Sequence, residues 1–351
     1  MKILVTGSTG LVGSEAVKFF SEQGHEVIGI DANMRHEFFN TPNKEGALKI
    51  DIRNKVDIDD LLEANDFGAI IHTAAQPSHD YSKEHVLEDF HINATGTLNL
   101  LESAREFCPD AVFVHCSTDK VYGWGMHRGP GSKTKKVWLG NTKDEGEPIK
   151  SHYKEVEEGL VELETRYHSD WLFDEQTPFE PPYSPFGVSK LASDAYVQEY
   201  AAQGWLTTGV FRMGCITGRA HEGAEQHGFL AYLAKCIKQQ KIYKIYGYKG
   251  KQVRDQIHAH DLVTAFWAFI QNPKSGAFYN VGGGPDRSVS VLEAGKLIAE
   301  KTGKLFLYEM VDDERFGDRI WDIHDMSKFR NDYPEWEYEY SLDDIISDLC
   351  E

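Results

Sequence analysis

The first 31 residues, MKILVTGSTGLVGSEAVKFFSEQGHEVIGID, decide the fold of this chain. Residues 2–6 and 25–30 are short runs of aliphatic and β-branched side chains, which is typical of buried strands in a parallel sheet. Between them, residues 11–23 show a helical pattern, and Gly24 stands where helices commonly end. Strand, turn, helix and strand together predict a βαβ unit.

The turn after the first strand reads TGSTGLVG over residues 6–13, with glycines at positions 7, 10 and 13. Gly7 permits a tight turn, Gly10 lets the backbone approach a pyrophosphate, and Gly13 allows close helix packing. Asp31 ends the second strand, where its carboxylate can bind ribose hydroxyls and would repel a 2′-phosphate. The unit therefore predicts an NAD site rather than an NADP site. A glycine turn that binds nothing is the alternative.

Similar strand patterns recur at residues 47–50, 69–72 and 111–117, separated by helical stretches such as 92–107. This alternation predicts an α/β fold, a Rossmann doubly wound parallel sheet with a smaller C-terminal α/β substrate-binding lobe. We place the NAD-binding domain at residues 1–190, with an insertion near 124–184 that is either a lid or a surface excursion. Residues 191–351 are expected to complete the sheet and form the lobe. Within them, Ser290 and Glu293 make a capping box ahead of a helix.

Composition limits the classes of partner. The chain has 351 residues, and 37 basic against 56 acidic residues give a net charge of −19, which disfavours nucleic acid and anionic membranes. No apolar run is long enough to cross a bilayer. Five scattered cysteines without a C-x-x-C pair favour neither a disulfide framework nor a metal site. The chain runs from Met1 directly into a strand, so we expect a cytoplasmic protein.

Other positions at the carboxyl ends of the predicted strands extend the cofactor groove. The remaining predicted contacts are Leu11, Val12, Asn33, Asp51, Ile52, Ala74, Ala75, Asn93 and Ser117. Later motifs include VYG at 121–123, RD at 254–255, YNVGG at 279–283 and RFGD at 315–318. With these motifs, the chain resembles the NAD-dependent epimerase/dehydratase family of extended short-chain dehydrogenases/reductases along nearly its whole length. The resemblance implies a nucleotide-sugar substrate and chemistry by transient oxidation.

The resemblance also implies a tyrosine base four residues before a lysine that holds the nicotinamide ribose. Here residues 186–190 read FGVSK, so Lys190 is in register but phenylalanine replaces the tyrosine. Phe186 cannot carry a proton. Either another group is the base, or the protein has lost its chemistry.

Residues 117–120, STDK, supply functional groups where the family keeps its catalytic hydroxyl. Thr118, Asp119 and Lys120 are the predicted catalytic residues of this segment. In a dry cleft Lys120 can have a lowered pKa, with Asp119 positioning it or shuttling the proton. A partly exposed ion pair between the two is the alternative.

The segment QPSHDY at 76–81 offers a further catalytic candidate. Histidine side chains titrate near neutrality, so His79 is a candidate proton carrier, and Asp80 would either orient it or have a capping or loop role. Tyr122 and Tyr183 are additional candidates, although Tyr183 lies outside the helix that carries Lys190.

Several segments are similar to the CDP-paratose 2-epimerase (CDP-tyvelose 2-epimerase) group, among them QPSHD at 76–80, SPFGVSK at 184–190 and GYKGKQVRD at 247–255. This similarity implies inversion at C2 of a CDP-3,6-dideoxyhexose through a 2-keto intermediate, with NAD regenerated in each turnover. Arg254 and Arg315 are predicted to hold the diphosphate, because guanidinium groups match phosphate oxygens. Salt bridges to Asp255 or Asp318 are the alternative.

Three further positions complete the predicted substrate site. Cys215 stands where relatives have an amide, so it is either a substrate contact or a packing thiol. Phe229 and Tyr246 are expected to flank the nucleobase.

Other activities stay open. A nucleotide-sugar 4,6-dehydratase or another epimerase of the same family fits many of the motifs, and Asp119 with Lys120 resembles a dehydratase acid–base pair. A non-catalytic NAD-binding protein is also compatible with Phe186. In each case a homodimer or higher homo-oligomer is expected.

Overall fold

The structure is a computed structural model that describes residues 1–39, 44–123, 172–181, 183–221, 223–225, 228–313, 315 and 317–351. Most of the insertion expected near 124–184 lies outside these residues. The described strands are β1 (Lys2–Thr6), β2 (Glu26–Asp31), β3 (Leu48–Lys49), β4 (Ala69–His72), β5 (Val112–Thr118), β6 (Thr207–Met213), β7 (Cys215–Thr217), β8 (Tyr243–Tyr246), β9 (Val253–His258), β10 (Ala277–Val281), β11 (Ser288–Ser290), β12 (Tyr308–Val311) and β13 (Trp321–Asp322).

The described helices alternate with these strands over much of the chain. They are α1 (Leu11–Glu22), α2 (Arg35–Phe39), α3 (Lys55–Glu63), α4 (His79–Glu84), α5 (Val86–Phe90), α6 (Gly96–Phe107), α7 (Pro185–Ala202), α8 (Phe229–Lys238), α9 (Ala259–Gln271), α10 (Val291–Thr302), α11 (Ser327–Asp332) and α12 (Leu342–Cys350).

Seven strands form one parallel sheet in the order β10-β6-β5-β4-β1-β2-β3. β1 lies between β2 and β4, with Ile3 in register with Val27 on one side and Ala69 on the other. The strand order reverses at β1 and β4, which opens a crevice at their carboxyl ends. This sheet confirms the predicted Rossmann architecture. β6 and β10 come from beyond residue 190 and lie at one edge of the sheet.

The side chains of β1 alternate between the two faces of the sheet. Ile3 packs in a cluster with Phe20 of α1 and Phe266 of α9, whereas Leu4 packs with Leu100 of α6 on the other face. All five side chains are fully buried. Each such burial contributes roughly 1.5–3 kcal/mol, so the sheet is a rigid platform for the residues at its edge.

A second lobe is built from residues that follow β6. Its central strand, β9, is antiparallel to β11 and parallel to β7 and β13. β8 and β12 form a separate parallel pair, and α8, α10 and α12 share an apolar cluster. The C-terminal half therefore contributes both to the central sheet and to this lobe.

Most element boundaries in the first half agree with the sequence to within two residues. The helix expected at 92–107 begins instead as a π-helical turn, His91–Thr95, that continues into α6. The capping box is confirmed, since Glu293 N donates to Ser290 Oγ at 3.2 Å and Ser290 N donates to Glu293 Oε2 at 2.8 Å. No helix in the described part of the chain has the length and apolar character that a membrane span requires.

Candidate functional site

The glycine turn between β1 and α1 is shaped by contacts that leave little room for side chains. Gly7 has a φ of +66°, and a Cβ there would lie 2.7 Å from the Ala74 backbone. A Cβ on Gly13 would lie 2.2 Å from the Gly7 carbonyl oxygen, and one on Gly10 would lie 3.2 Å from the same oxygen. The turn is therefore closed against α1 and β4, as a backbone cradle for phosphate requires.

Asp31 lies beside this turn at the end of β2. Its Oδ2 accepts hydrogen bonds from Thr9 N at 3.1 Å and Thr9 Oγ1 at 2.7 Å, and its Oδ1 accepts from Asn33 N at 2.8 Å. A carboxylate offers about four lone-pair sites, so Oδ1 keeps capacity for one further donor. Asp31 lines the cleft, where a ribose hydroxyl fits that capacity.

A cleft of about 490 Å³ crosses the carboxyl edge of the central sheet. The predicted cofactor contacts that line it are Gly7, Gly10, Leu11, Val12, Asp31, Asp51, Ile52, Ala74, Ala75, Ser117 and Lys190. The predicted catalytic residues Thr118, Asp119, Lys120 and His79 line it as well, and so do the predicted substrate contacts Cys215, Phe229, Arg254 and Arg315. The cleft therefore joins the central sheet to the second lobe.

Gly13, Asn33, Asn93 and Tyr246 do not line the cleft. Gly13 acts through the packing of α1 against the turn, as described above. The Asn33 backbone has a φ of +59°, a left-handed conformation that asparagine tolerates, and its N–H binds Asp31. Asn33 therefore does not face the cleft. It contacts Asp31, the acidic residue of the cofactor site.

Asn93, predicted as a cofactor contact, lies in a buried hydrogen-bond network beneath the loop after β4. Its Nδ2 donates to Gln76 O and to Ser189 Oγ at 3.0 Å each, and its Oδ1 accepts from Gln76 N at 2.8 Å. Gln76 Nε2 donates to Asp89 Oδ1 at 2.8 Å and to Ser78 O at 2.9 Å. The Asn93 amide ties this loop to α7, and its contact with the cofactor stays a prediction.

Helix α7 brings Phe186 and Lys190 to the cleft. It begins after Ser184, whose Oγ accepts a hydrogen bond from Gly187 N at 3.0 Å. Lys190 is buried, and its Nζ donates to Cys116 O at 2.7 Å. Burial lowers the pKa of the Lys190 ammonium from its ordinary value of 10.5 to about 8. The amine is thus fixed at the carboxyl end of β5.

The His79 imidazole lies against the Phe186 ring. The ring centroids are 5.0 Å apart and the ring planes meet at 68°, an edge-to-face contact. His79 is the first residue of α4, which is capped by Ser78 through a 3.2 Å hydrogen bond from Tyr81 N to Ser78 Oγ. The phenylalanine that replaces the expected base therefore touches a titratable side chain.

Asp119 and Lys120 form the ion pair that the sequence left as an alternative, within a larger cluster. Lys120 Nζ lies 2.9 Å from Asp119 Oδ2 and 2.7 Å from Asp322 Oδ2. Arg319 Nη1 lies 2.6 Å from Asp119 Oδ2 and 3.1 Å from Asp322 Oδ1. Burial opposes ionisation of Asp322, but Lys120 and Arg319 hold the pKa of its carboxyl well below the usual range. Two cations therefore neutralise both carboxylates.

Asp119, Asp322 and His324 approach one another closely enough to resemble a set of metal ligands, with donor atoms within 4.8 Å. His324 Nδ1, however, lies 3.0 Å from Asp255 Oδ1. Burial lowers the pKa of His324, but Asp255 raises it more, to about 9. A protonated imidazole and carboxylates already paired with cations do not suit a metal ion, so the cluster is an ion-pair network.

Ser117 and Tyr122 belong to a second buried network, built around Arg212. Ser117 Oγ donates to Asp194 Oδ2 at 2.7 Å, and Asp194 receives two 2.9 Å hydrogen bonds from Arg212. Arg212 Nη1 donates to Tyr122 Oη at 3.0 Å, and that hydroxyl donates to Asn280 Oδ1 at 2.7 Å. Burial raises the pKa of Tyr122 to about 12. The network fixes the end of β5 and leaves the Tyr122 hydroxyl inside the protein.

The two predicted phosphate-binding arginines differ in their surroundings. Arg254 is buried, and its guanidinium donates to the Asp318 carboxylate and to Val253 O, the latter at 2.7 Å. The salt-bridge alternative therefore holds for Arg254, although the residue still lines the cleft. The Arg315 guanidinium lies over the Tyr246 ring, with its Cζ 4.6 Å from the ring centroid.

The remaining predicted substrate contacts occupy element ends in the second lobe. Phe229 is the first residue of α8, and Cys215 is the first residue of β7. Burial raises the pKa of the Cys215 thiol to about 12, so it stays a neutral thiol. Tyr246 Oη donates to Glu225 Oε1 at 3.0 Å.

Sequence reasoning missed Arg319 and Asp322, the partners of the predicted acid–base pair. They follow the RFGD motif, but Arg319 lies 200 positions after Asp119 and nothing local connects them. The one available signal is an arginine and an aspartate flanking the apolar segment IW at 320–321, since buried charges are nearly always paired.

Comparisons with known proteins agree with this geometry. The profile of the "NAD dependent epimerase/dehydratase family" matches residues 3–142 and 167–282. A CDP-paratose 2-epimerase of Salmonella typhi is 30% identical over 314 residues, 86% of this chain and 84% of that protein. A dTDP-glucose 4,6-dehydratase of Haemophilus influenzae is 27% identical over 361 residues, 98% of this chain and 90% of that protein.

The fold is also shared with solved structures. The complex of Thermus thermophilus UDP-glucose 4-epimerase with NAD superposes with a TM-score of 0.75 at 23% identity, covering 100% of this chain and 98% of that chain. Three findings lead to one conclusion. The sheet has the predicted topology, the glycine turn packs closely against neighbouring backbone, and the family profile matches most of the chain. This chain belongs to the NAD-dependent epimerase/dehydratase family of nucleotide-sugar enzymes.

Proposed function

We propose that this chain is an NAD-dependent nucleotide-sugar epimerase that inverts C2 of a CDP-3,6-dideoxyhexose through a transient 2-keto intermediate. The observation that supports the proposal best is that one cleft contains residues for both cofactor and substrate. It contains the glycine turn and Asp31, the Lys190 amine beside Phe186, and Arg315 of the second lobe. A cofactor and a nucleotide sugar can therefore meet in one cleft.

The residues of the first half fit NAD. The glycine turn offers backbone N–H groups to the diphosphate, Asp31 offers its remaining acceptor capacity to a ribose hydroxyl, and Lys190 is placed to hold the second ribose. The negative charge of Asp31 opposes the 2′-phosphate of NADP. Bound there, NAD would supply a hydride acceptor for the sugar carbon.

The residues proposed to bind the nucleotide sugar are chosen by their charge and shape. Arg315, stacked on Tyr246, supplies a planar cation for the diphosphate in a protein whose net charge is −19. Arg254 is proposed as a second, more rigid contact, because Asp318 fixes its guanidinium. Phe229 offers a ring to the nucleobase and Cys215 an apolar, uncharged surface to the sugar.

Two observations favour epimerisation over dehydration. The nucleotide and the reaction are proposed from the Salmonella typhi CDP-paratose 2-epimerase, which matches 86% of the chain. A dehydratase also needs a free acid at the segment that contains Asp119, and that carboxylate is held by Lys120 and Arg319. The homo-oligomer and the cytoplasmic location expected from the sequence stay predictions, which sedimentation velocity and fractionation test.

The test is incubation of the purified protein with CDP-paratose in D₂O, followed by proton NMR. We expect conversion to the C2 epimer with protium retained at C2, because the same hydrogen returns from the cofactor. Parallel reactions contain CDP-glucose and UDP-glucose. Loss of water with deuterium at C5 would identify a dehydratase, inversion at C4 a different epimerase, and no conversion of any sugar would reject catalysis.

A further inference from the structure

The oxygen of the sugar hydroxyl that is oxidised needs a hydrogen-bond donor in the cleft, because negative charge develops on it in the transition state. A tyrosine hydroxyl could serve, but Phe186 has none. The identity of the donor rests on the proposed function, since it concerns the hydroxyl that the reaction oxidises. The polar side chains near Phe186 differ in how far their donor groups are already used within the protein.

The hydroxyls of β5 and of the turn that follows it donate within the protein. Ser117, Thr118 and Tyr122 each donate their hydroxyl proton to another residue. The Lys190 amine is buried, donates to Cys116 O at 2.7 Å and is proposed to hold the cofactor ribose. These groups are therefore committed to other partners.

Lys120 differs from them because it is the cleft-facing member of the ion-pair cluster. Its side chain is 21% exposed, whereas those of Asp119 and Asp322 are each 3% exposed and that of Arg319 is fully buried. An ammonium group has three N–H donors. Among the described residues, the acceptors of Lys120 Nζ are Asp119 Oδ2 at 2.9 Å and Asp322 Oδ2 at 2.7 Å. One N–H is therefore left for a ligand in the cleft.

The position of Lys120 fits the reacting end of the sugar. Its carbonyl oxygen packs against the first turn of α7, where a Cβ on Gly187 would lie 2.8 Å from Lys120 O. Phe186 precedes that glycine, and both Phe186 and Lys120 line the cleft. The positive charge of Lys120 also acts on the thiol of Cys215, the residue proposed to contact the sugar. Lys120 therefore belongs to the part of the cleft in which the sugar would react.

Asp322 fixes the place of the Lys120 ammonium. It lies in β13 of the second lobe, in register with Arg254 of β9. Arg319 Nη1 lies 3.1 Å from Asp322 Oδ1, which leaves Oδ2 to Lys120. Arg319 also binds Asp119, so one buried guanidinium holds both carboxylates that contact Lys120. The lobe proposed to bind the nucleotide therefore also orients the cation that faces the sugar.

We propose that Lys120 donates a hydrogen bond to the oxygen of the sugar hydroxyl that is oxidised, and that Asp322 is the positioning residue that holds its ammonium in place. A fixed cation stabilises the negative charge that develops on this oxygen, and Asp119 and Asp322 have already oriented it before the reaction begins. The same N–H binds the carbonyl oxygen of the keto intermediate. Lys120 transfers no proton in this role, so no bond at its nitrogen is made or broken.

The first test is a binding cycle with two ligands, CDP-paratose and its 2-deoxy analogue, which lacks the C2 hydroxyl. Each protein is loaded with NADH, which cannot oxidise the sugar, and the Kd values are measured by calorimetry. We expect the wild type to bind CDP-paratose about 10- to 100-fold more tightly than the analogue, as a hydrogen bond to a charged group allows. Lys120→Met should bind the two ligands with Kd values within about threefold of each other, because the contact to the hydroxyl is lost.

Asp322→Asn tests the positioning role. It keeps the size of the side chain but removes the charge that holds Lys120, so the preference for CDP-paratose should fall below about threefold. The Kd for the analogue should change by less than about threefold, whereas a merely structural role would weaken both ligands equally. The matched control is Asp325→Asn, at a half-buried acidic position that does not line the cleft, which should keep the wild-type preference.

A second variant covers the case in which Asp322→Asn does not fold. Asp322→Glu keeps the charge but displaces the carboxylate by one methylene, and it should lower the preference in the same way. Turnover with NAD gives an independent readout. We expect kcat of Lys120→Met to fall by about 100-fold or more, the usual effect of removing such a donor.

The outcomes separate this inference from the proposed function. A wild type without preference, or an equal preference in Lys120→Met, overturns the inference, and so does a wild-type kcat in Lys120→Met. A wild-type preference in Asp322→Asn or Asp322→Glu overturns the positioning role. A wild type that prefers CDP-paratose but converts no sugar rejects the proposed function and leaves the contact to the hydroxyl supported. A wild type that binds neither ligand rejects both.

Discussion

Lys190 is a buried charge whose cost can be measured. The residue is 3% exposed, and burial lowers the pKa of its ammonium from 10.5 to about 8, with Cys116, Asp194 and Asp89 opposing the shift. The folded protein below pH 8 therefore carries a protonated amine that the unfolded chain solvates better. The penalty corresponds to about 3 kcal/mol of unfolding free energy. It is complete below pH 8, shrinks as the pH rises from 8 to 10.5, and disappears above 10.5, where the amine becomes neutral in both states.

The perturbation is Lys190→Met, which keeps the length of the side chain without its charge. At pH 7 the variant avoids the penalty of about 3 kcal/mol but leaves Cys116 O without its donor, which costs roughly 1–3 kcal/mol. We therefore expect the variant to be as stable as the wild type or slightly more stable at pH 7. Relative to the variant, the wild type should gain about 3 kcal/mol between pH 8 and 10.5, because its penalty is lifted.

The assay is urea unfolding of the NAD-free proteins at intervals from pH 7 to 10.5, followed by the fluorescence of the seven tryptophans. NAD is removed because a bound ligand adds its own stabilisation. Lys18→Met, at an exposed position of α1, is the control and should show no pH-dependent difference from the wild type. If the difference between wild type and Lys190→Met is the same at pH 7 and 10.5, the reasoning about the buried amine is refuted.

Three further predictions concern the cofactor turn and the ion-pair cluster. Asp31→Ala should weaken NAD binding by about 10- to 100-fold, because a hydrogen bond to a charged group contributes roughly 1.5–3 kcal/mol. It should also lower the ratio of the NAD affinity to the NADP affinity, and an unchanged ratio of the two calorimetric affinities would contradict this prediction. Gly13→Ala places a Cβ 2.2 Å from Gly7 O, so the purified protein should contain less NAD and melt at a lower temperature; normal NAD content would show that the turn adapts. Arg319→Met leaves Asp119 and Asp322 with one fewer cation and should destabilise the protein by about 3–5 kcal/mol in urea unfolding. Arg330→Met, at an exposed position, is its control, and equal stability of the two variants would reject a structural role for the cluster.

The parts of the fold that sequence could predict are local. The βαβ unit lies within 31 consecutive residues, and its glycines, helix end and terminal aspartate stand in a fixed order along the chain. The capping box at Ser290 spans four residues and was predictable for the same reason. The Rossmann sheet follows from these units because a parallel strand must return through a helix. The order of residues along the chain, however, does not show which side-chain atoms are already hydrogen-bonded within the fold. The Asn93 amide, for example, is bonded to Gln76 O and Ser189 Oγ.

The sequence by itself determined the family, the sheet, the position of the glycine turn and the absence of the usual tyrosine at position 186. Only the tertiary structure decided that Asp119 and Lys120 are bound by Arg319 and Asp322, and that His79 rests on Phe186. These partners are separated by about 100 to 200 positions, so their proximity results from the packing of helices and strands. A short motif fixes dihedral angles and periodicity, whereas contacts between distant segments depend on how the whole chain buries its apolar surface.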